Sequence, residues 1–249
     1  MNDSIEASST TPIIRLTGVI TGYRSSRESA NFVFTETDQT RLGVIAIAAP
    51  LAGLSGQAMS VANNATAMEE EADHVSFHMD GATISGWLWR SPFKEGDFLE
   101  VAVQWRADHY ELLGAVRPGD RTIALYPHCS RSRKTHILNA VKWWIFACLF
   151  LQLGLLAVSS TLESATILQF WSDILAEEAV IWFLAGVHGF IGIAIFSMTR
   201  KWLPFAKVAE TVFRALQLPN PGGIDLVKSS KGKFRNDDSY EFGVMYFRY

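Results

Sequence analysis

The chain has 249 residues, 49% of them apolar, with a mean hydropathy of +0.13. Its net charge of -3 argues against a nucleic-acid partner, and two cysteines, Cys129 and Cys148, cannot make a disulfide framework. Residues 1–12, MNDSIEASSTTP, are polar and acidic, which predicts a disordered N-terminus and no signal peptide.

Residues 13–130 read as a β-rich domain. Strands are expected at 13–23 (IIRLTGVITGY), 31–35 (NFVFT), 75–79, 82–89, 98–105 (FLEVAVQW), 110–116 and 122–126. Asp80-Gly81 between two such runs predicts a tight hairpin. In 98–105, Leu99, Val101, Val103 and Trp105 share one face. Seven short strands at this spacing predict a small antiparallel β-barrel of the OB or SH3-like kind, with a sandwich as the alternative. Between early and late strands, residues 43–68 carry no charge and many Ala, Gly and Ser. Three readings of this insert stand open: a small-residue helix packed on the barrel, a lipid-contacting segment, and a flexible connector.

The hydropathy then changes. Residues 140–160 (AVKWWIFACLFLQLGLLAVSS) and 179–198 (AVIWFLAGVHGFIGIAIFSM) are two apolar runs. Each has about 20 residues, enough at about 1.5 Å per residue to cross a hydrocarbon core of about 30 Å. Arg131, Arg133 and Lys134 precede the pair, and Arg200 and Lys201 follow it, whereas the connecting loop 161–178 holds Glu163, Asp173, Glu177, Glu178 and no basic residue. This asymmetry predicts a transmembrane hairpin with an acidic outer loop and both termini on the cytoplasmic side. Trp143, Trp144, Trp171 and Trp202 fit interfacial anchors.

After the second span, Phe205, Val208, Val212 and Leu216 recur at helical spacing, so 203–218 reads as an amphipathic helix, lying on the inner leaflet or packing on the barrel. The proline- and glycine-rich run at 219–223 ends it. In the tail 219–249, the closing FGVMYFRY reads as an edge strand or a docking segment. The whole is expected to be an α+β membrane protein.

Chemistry is sparse. No nucleophile with a positioned base, phosphate loop or metal spacing stands out, so neither an enzyme nor a cofactor or metal is expected. His128, Cys129 and His136 match no common zinc pattern and read as juxtamembrane surface residues. The acidic run Glu69, Glu70, Glu71, with Asp73 and His74, reads as a solvated loop. Inside the spans, His188 is an ionisable group in lipid, and Gln152 lies at matching depth to bond it. Gly186, Gly189 and Gly192 form a small-residue stripe that suits close helix packing. Together these five residues either zip the hairpin or line an oligomeric pore.

The strings ANFVFTETD (30–38), AGLSG (52–56), GWLWRSPFKEGD (86–97) and DRTIALYPHCSR (120–131) resemble a proteobacterial family of type VI secretion system effectors. The resemblance spans about residues 14–200 and implies a setting, bacterial competition through a contractile secretion apparatus, without residue roles. In that setting the expected function is a pore-forming antibacterial effector that acts on the bilayer as a homo-oligomer. The alternative is a resident immunity or accessory protein whose β-domain binds a partner, and a membrane-tethered hydrolase ranks third. A secretion-system component, a chaperone and an immunity protein are the protein partners this setting implies.

Overall fold

The computed structural model describes residues 12–30, 32, 70–163, 169, 172 and 176–249, the last five residues of 70–163 by backbone alone. The N-terminal segment 1–11, the strand expected at 31–35 apart from Phe32, the insert 43–68, Trp171 and most of the acidic loop lie outside the described residues. The chain is α+β, with an open mixed sheet and two long apolar helices. It divides into two compact units: the β unit runs to Ser132 and resumes at Pro204, and the hairpin unit is Arg133–Leu203.

The β unit is built from β1 (Ile13–Val19), β2 (Thr21–Ala30), β3 (Glu70–Met79), β4 (Ala82–Leu88), β5 (Phe98–Trp105), β6 (Tyr110–Arg117) and β7 (Thr122–Leu125), with β8 (Tyr246–Arg248) from the tail. The strands run in the order β1-β5-β6-β4-β3-β2. All pairings are antiparallel except β4 with β6, which is parallel. One side of β6 is shared: residues 110–112 take β4, and 114–117 take β7, which in turn carries β8. The sheet is therefore forked and open, not the expected antiparallel barrel. It does curl, because Val75 and Phe77 of β3 share a core with Leu99, Val101 and Val103 of β5, which is not their neighbour in the sheet.

The central strands are buried on both faces. In β6, Leu112 and Ala115 join that inner core, while Leu113 and Val116 join a second core on the other face. Such strands read as near-continuous apolar runs, as TIAL in β7 does. The expected single face of β5 needs one amendment. Leu99, Val101 and Val103 are buried, but Trp105 is 44% exposed and leans edge-on against Tyr110 at 4.8 Å.

The second core is closed by a helix. Of the two long helices, α1 is Arg133–Glu163 and α2 is Glu178–Ala215; residues 204–215 of α2 belong to the β unit. Phe205, Val208, Val212 and Leu216 are all buried there, beside Ala209 and Phe213. Of the two open readings of the amphipathic stretch, packing on the sheet is the one that holds. Gly114 permits the close approach, since a Cβ at this position would lie 2.5 Å from Leu125 and 2.9 Å from Val212. Gly114→Val is expected to cost about 1–3 kcal/mol by overpacking. A chemical denaturation series of the full chain checks this, and an unchanged midpoint would refute it.

From Glu70 on, the acidic run is not a solvated loop; Glu69 lies outside the described residues. Glu70 opens β3 and accepts from His128 at 2.9 Å; Glu71 meets Arg27. Asp73, 4% exposed, takes Arg27 at 3.0 Å and the Ser91 amide at 2.8 Å. These pairs fix β2, whose own residues TGYRSSRESA are almost all exposed, to β3 and the turn after β4. In the tail, α3 (Leu226–Ser229) is capped by Asp225, and β8 adds to β7. Of the two readings open for the closing segment, the edge strand is the one seen, over Tyr246–Arg248.

Candidate functional site

The five residues singled out in the spans lie in the hairpin unit. Helix α1 has 31 residues and α2 has 38, about 46 and 57 Å at the ordinary rise. Both are long and apolar enough to cross a bilayer, and none of the most apolar stretch of either is buried. Phe150, Trp182, Phe190 and Ile193 stand 69–81% exposed. Each such side chain left in water forgoes about 1.5–3 kcal/mol of burial. A helix at the core of a water-soluble domain buries its apolar face, so these two have the surface of helices that meet a non-aqueous neighbour.

Within the unit the helices run antiparallel, and polar contacts between described residues join them. His136 Nε2 lies 3.1 Å from the Thr199 carbonyl oxygen. Farther along, Trp144 Nε1 donates to the His188 carbonyl at 3.2 Å. Deeper still, Gln152 Nε2 lies 3.1 Å from His188 Nε2. His188 Nδ1 is 2.6 Å from the Leu184 carbonyl, which can only accept, so Nδ1 carries the proton. In the neutral ring Nε2 is then an acceptor, and the Gln152 amide donates to it. Gln152 Oε1 is left buried with no partner among the described residues.

The glycine stripe splits in two. A Cβ on Gly192 would meet the Trp144 ring at 3.1 Å, so this glycine admits the indole between the helices. Gly186 and Gly189 face open space, with nothing within 4 Å of where a Cβ would stand. Two residues from His188, Gly186 falls about 200° around the helix, away from the interhelical contact. The hairpin is therefore zipped by Trp144, Gln152 and His188, while two of the three glycines stay unused by it. The sequence reading missed Trp144, taken there as an interfacial anchor; it lies eight residues from both His136 and Gln152, about 80° around the helix each way, so spacing alone did not mark the three as one face.

Of the basic residues assigned to topology, Arg133, Lys134, Arg200 and Lys201 are exposed at the end of the hairpin marked by His136 and Thr199. Arg131 lies in the β unit, ion-paired to Asp225 at 3.2 Å, so its charge is partly cancelled. His128, Cys129 and His136 each have other partners. His128 bonds Glu70, and burial pulls its pKa below the usual histidine value against the pull of that carboxylate. Cys129 Sγ donates to the Phe205 carbonyl at 3.5 Å, and complete burial pushes its thiol far up, which makes it inert. Neither His128 nor Cys129 is the surface residue that the sequence suggested. No group of three metal-ligating side chains occurs among the described residues. Compared with protein-family models, with curated proteins and with solved structures, this chain matches none.

Proposed function

We propose that this chain is an integral membrane protein of the type VI secretion setting, a pore-forming antibacterial effector whose hairpin crosses the inner membrane and assembles with copies of itself. Both termini lie on the cytoplasmic side, with the acidic loop outside, because Arg133, Lys134, Arg200 and Lys201 crowd one end of the hairpin. The secretion setting rests on the sequence resemblance. The observation that carries the assembly is the open pair Gly186 and Gly189, exposed on the part of the span that α1 leaves uncovered. In lipid, helices associate through small residues that let backbones approach, and these two are the ones the hairpin leaves free.

A second reading is favoured by one observation: the polar atoms of the His188 ring are satisfied within a single hairpin. A resident immunity or accessory protein, anchored by the hairpin and binding a partner through its β unit, needs no polar lumen. Inducible expression in a sensitive bacterium, with membrane potential followed by a voltage dye, separates the two. The effector reading expects depolarisation before viability falls. Growing, polarised cells that hold the protein in the inner membrane would favour the resident reading.

A further inference from the structure

An open cavity of about 380 Å³ in the β unit, away from the features used so far, is lined by Asp120, Arg121, Lys233, Phe234, Arg235 and Tyr249, with Arg248 at its base. The charges of its lining that are left unpaired are positive. Asp120 is already engaged: its carboxylate accepts from Arg117 at 2.9 and 3.1 Å and from the Thr122 hydroxyl at 2.7 Å. These partners hold its pKa down to about 2 despite partial burial. Arg248 is engaged too, in a two-pronged pair with Asp238, both nitrogen–oxygen distances 2.6 Å. Arg121, Lys233 and Arg235 remain, and none of the three makes an ion pair among the described residues.

The cations are held by a built frame. Arg248 Nη1 also donates to the Lys233 carbonyl at 2.7 Å, and Asp238 Oδ2 accepts the Arg235 amide at 2.7 Å. One buried ion pair thus pins the backbone at both ends of the segment Lys233-Phe234-Arg235. Across the cavity, Arg121 sits at φ 57°, a left-handed conformation that is strained for an arginine and easy for a glycine. It is kept there by the turn to Pro118 and by the bond from the Tyr249 amide to its carbonyl. Phe234 is 59% exposed, yet its ring rests edge-on against Phe242 at 6.0 Å, and Phe242 carries the Arg248 guanidinium at 4.8 Å.

We propose that this cavity is a binding site for a phosphate ester, with Arg121, Lys233 and Arg235 taking the anionic oxygens and Phe234 offering an apolar face to the group beside the phosphate. Three cations lining one cavity, each on a backbone held by hydrogen bonds, match the charge and the several acceptor oxygens of a phosphate. An exposed ring at the rim suits a ligand that is charged at one end and apolar at the other. Two sources supply that chemistry: an anionic phospholipid headgroup and a soluble phosphate compound.

The test uses the full chain in maltoside micelles. It is titrated at fixed ionic strength with dihexanoyl phosphatidylglycerol below its micelle concentration, and separately with inorganic pyrophosphate. Saturable binding of the lipid alone assigns the headgroup, whereas binding of pyrophosphate as well assigns a site open to soluble phosphates. In either case Lys233→Gln with Arg235→Gln is expected to weaken binding about tenfold or more, since it removes two cations and their charged hydrogen bonds to the anion. Both side chains are exposed, so the variant folds. Arg121→Gly removes the charge while relieving the turn, and is expected to bind more weakly in a chain no less stable. Binding of neither compound, or equal binding by the Lys233→Gln, Arg235→Gln variant, would overturn the assignment.

Discussion

Replacing Arg248 by methionine is expected to raise amide hydrogen exchange across the C-terminal segment about a hundredfold. The guanidinium and the Asp238 carboxylate are 4% and 5% exposed and bonded through both prongs. Methionine keeps much of the side-chain volume but leaves a shielded carboxylate without its cation and the Lys233 carbonyl without its donor. Breaking a buried pair from one side costs about 3–5 kcal/mol, and the lower figure applies here because the pair lies beside an open cavity. About 3 kcal/mol is two decades of opening equilibrium. Exchange read by mass spectrometry on peptides covering β8 and α3 checks it. Unchanged protection would mean that β8 is held by its ladder to β7 and by Phe247, and that the ion pair is incidental.

Leucine at both Gly186 and Gly189 is expected to abolish permeabilisation while leaving the hairpin inserted. Both positions face open space, so the larger side chains meet nothing within the hairpin, and they add apolar surface that favours insertion. What they remove is the close backbone approach that a neighbouring copy would need. Leucine at Gly192 should act differently, because it collides with the Trp144 ring and disturbs the hairpin itself. Gly189→Arg also blocks the face, but a charge at mid-span costs about 2.5–3.5 kcal/mol and mixes failed insertion with failed assembly. A double-leucine chain that still depolarises cells would show that copies meet through another surface.

Much of this architecture was legible before the structure, for identifiable reasons. Asp80-Gly81 marks its hairpin because both residues adopt positive φ, and the pairing of Met79 with Ala82 follows. The run from Phe205 to Leu216 was readable as a one-sided helix, since a single apolar stripe meets the sheet. Other elements leave no such trace. Strand β2 from Arg24 onward is polar and exposed, stabilised by its ladder to β3 and by Arg27, so no alternation of its own betrays it. The parallel pairing of β4 with β6 turns a likeness to a barrel into an open, forked sheet, and local patterning cannot encode a pairing between strands that are not consecutive. In the hairpin, the match in depth of Gln152 and His188 was visible from spacing, whereas the split of the glycines was not. Periodicity gives the angles between Gly186, Gly189 and Gly192 but not which angle faces α1. The cavity at Arg121 escaped for a related reason, because Arg121 and the segment 233–235 meet only after β8 pairs with β7.

Reconstitution of the purified full chain into potassium-loaded liposomes separates a pore from an anchor. Potassium release is expected to rise more steeply than in proportion to protein per vesicle, as for an assembly, and to disappear with leucine at Gly186 and Gly189. Tight vesicles that carry the inserted hairpin, with the connecting loop on the opposite side from the β unit, would contradict pore formation and leave the hairpin an anchor.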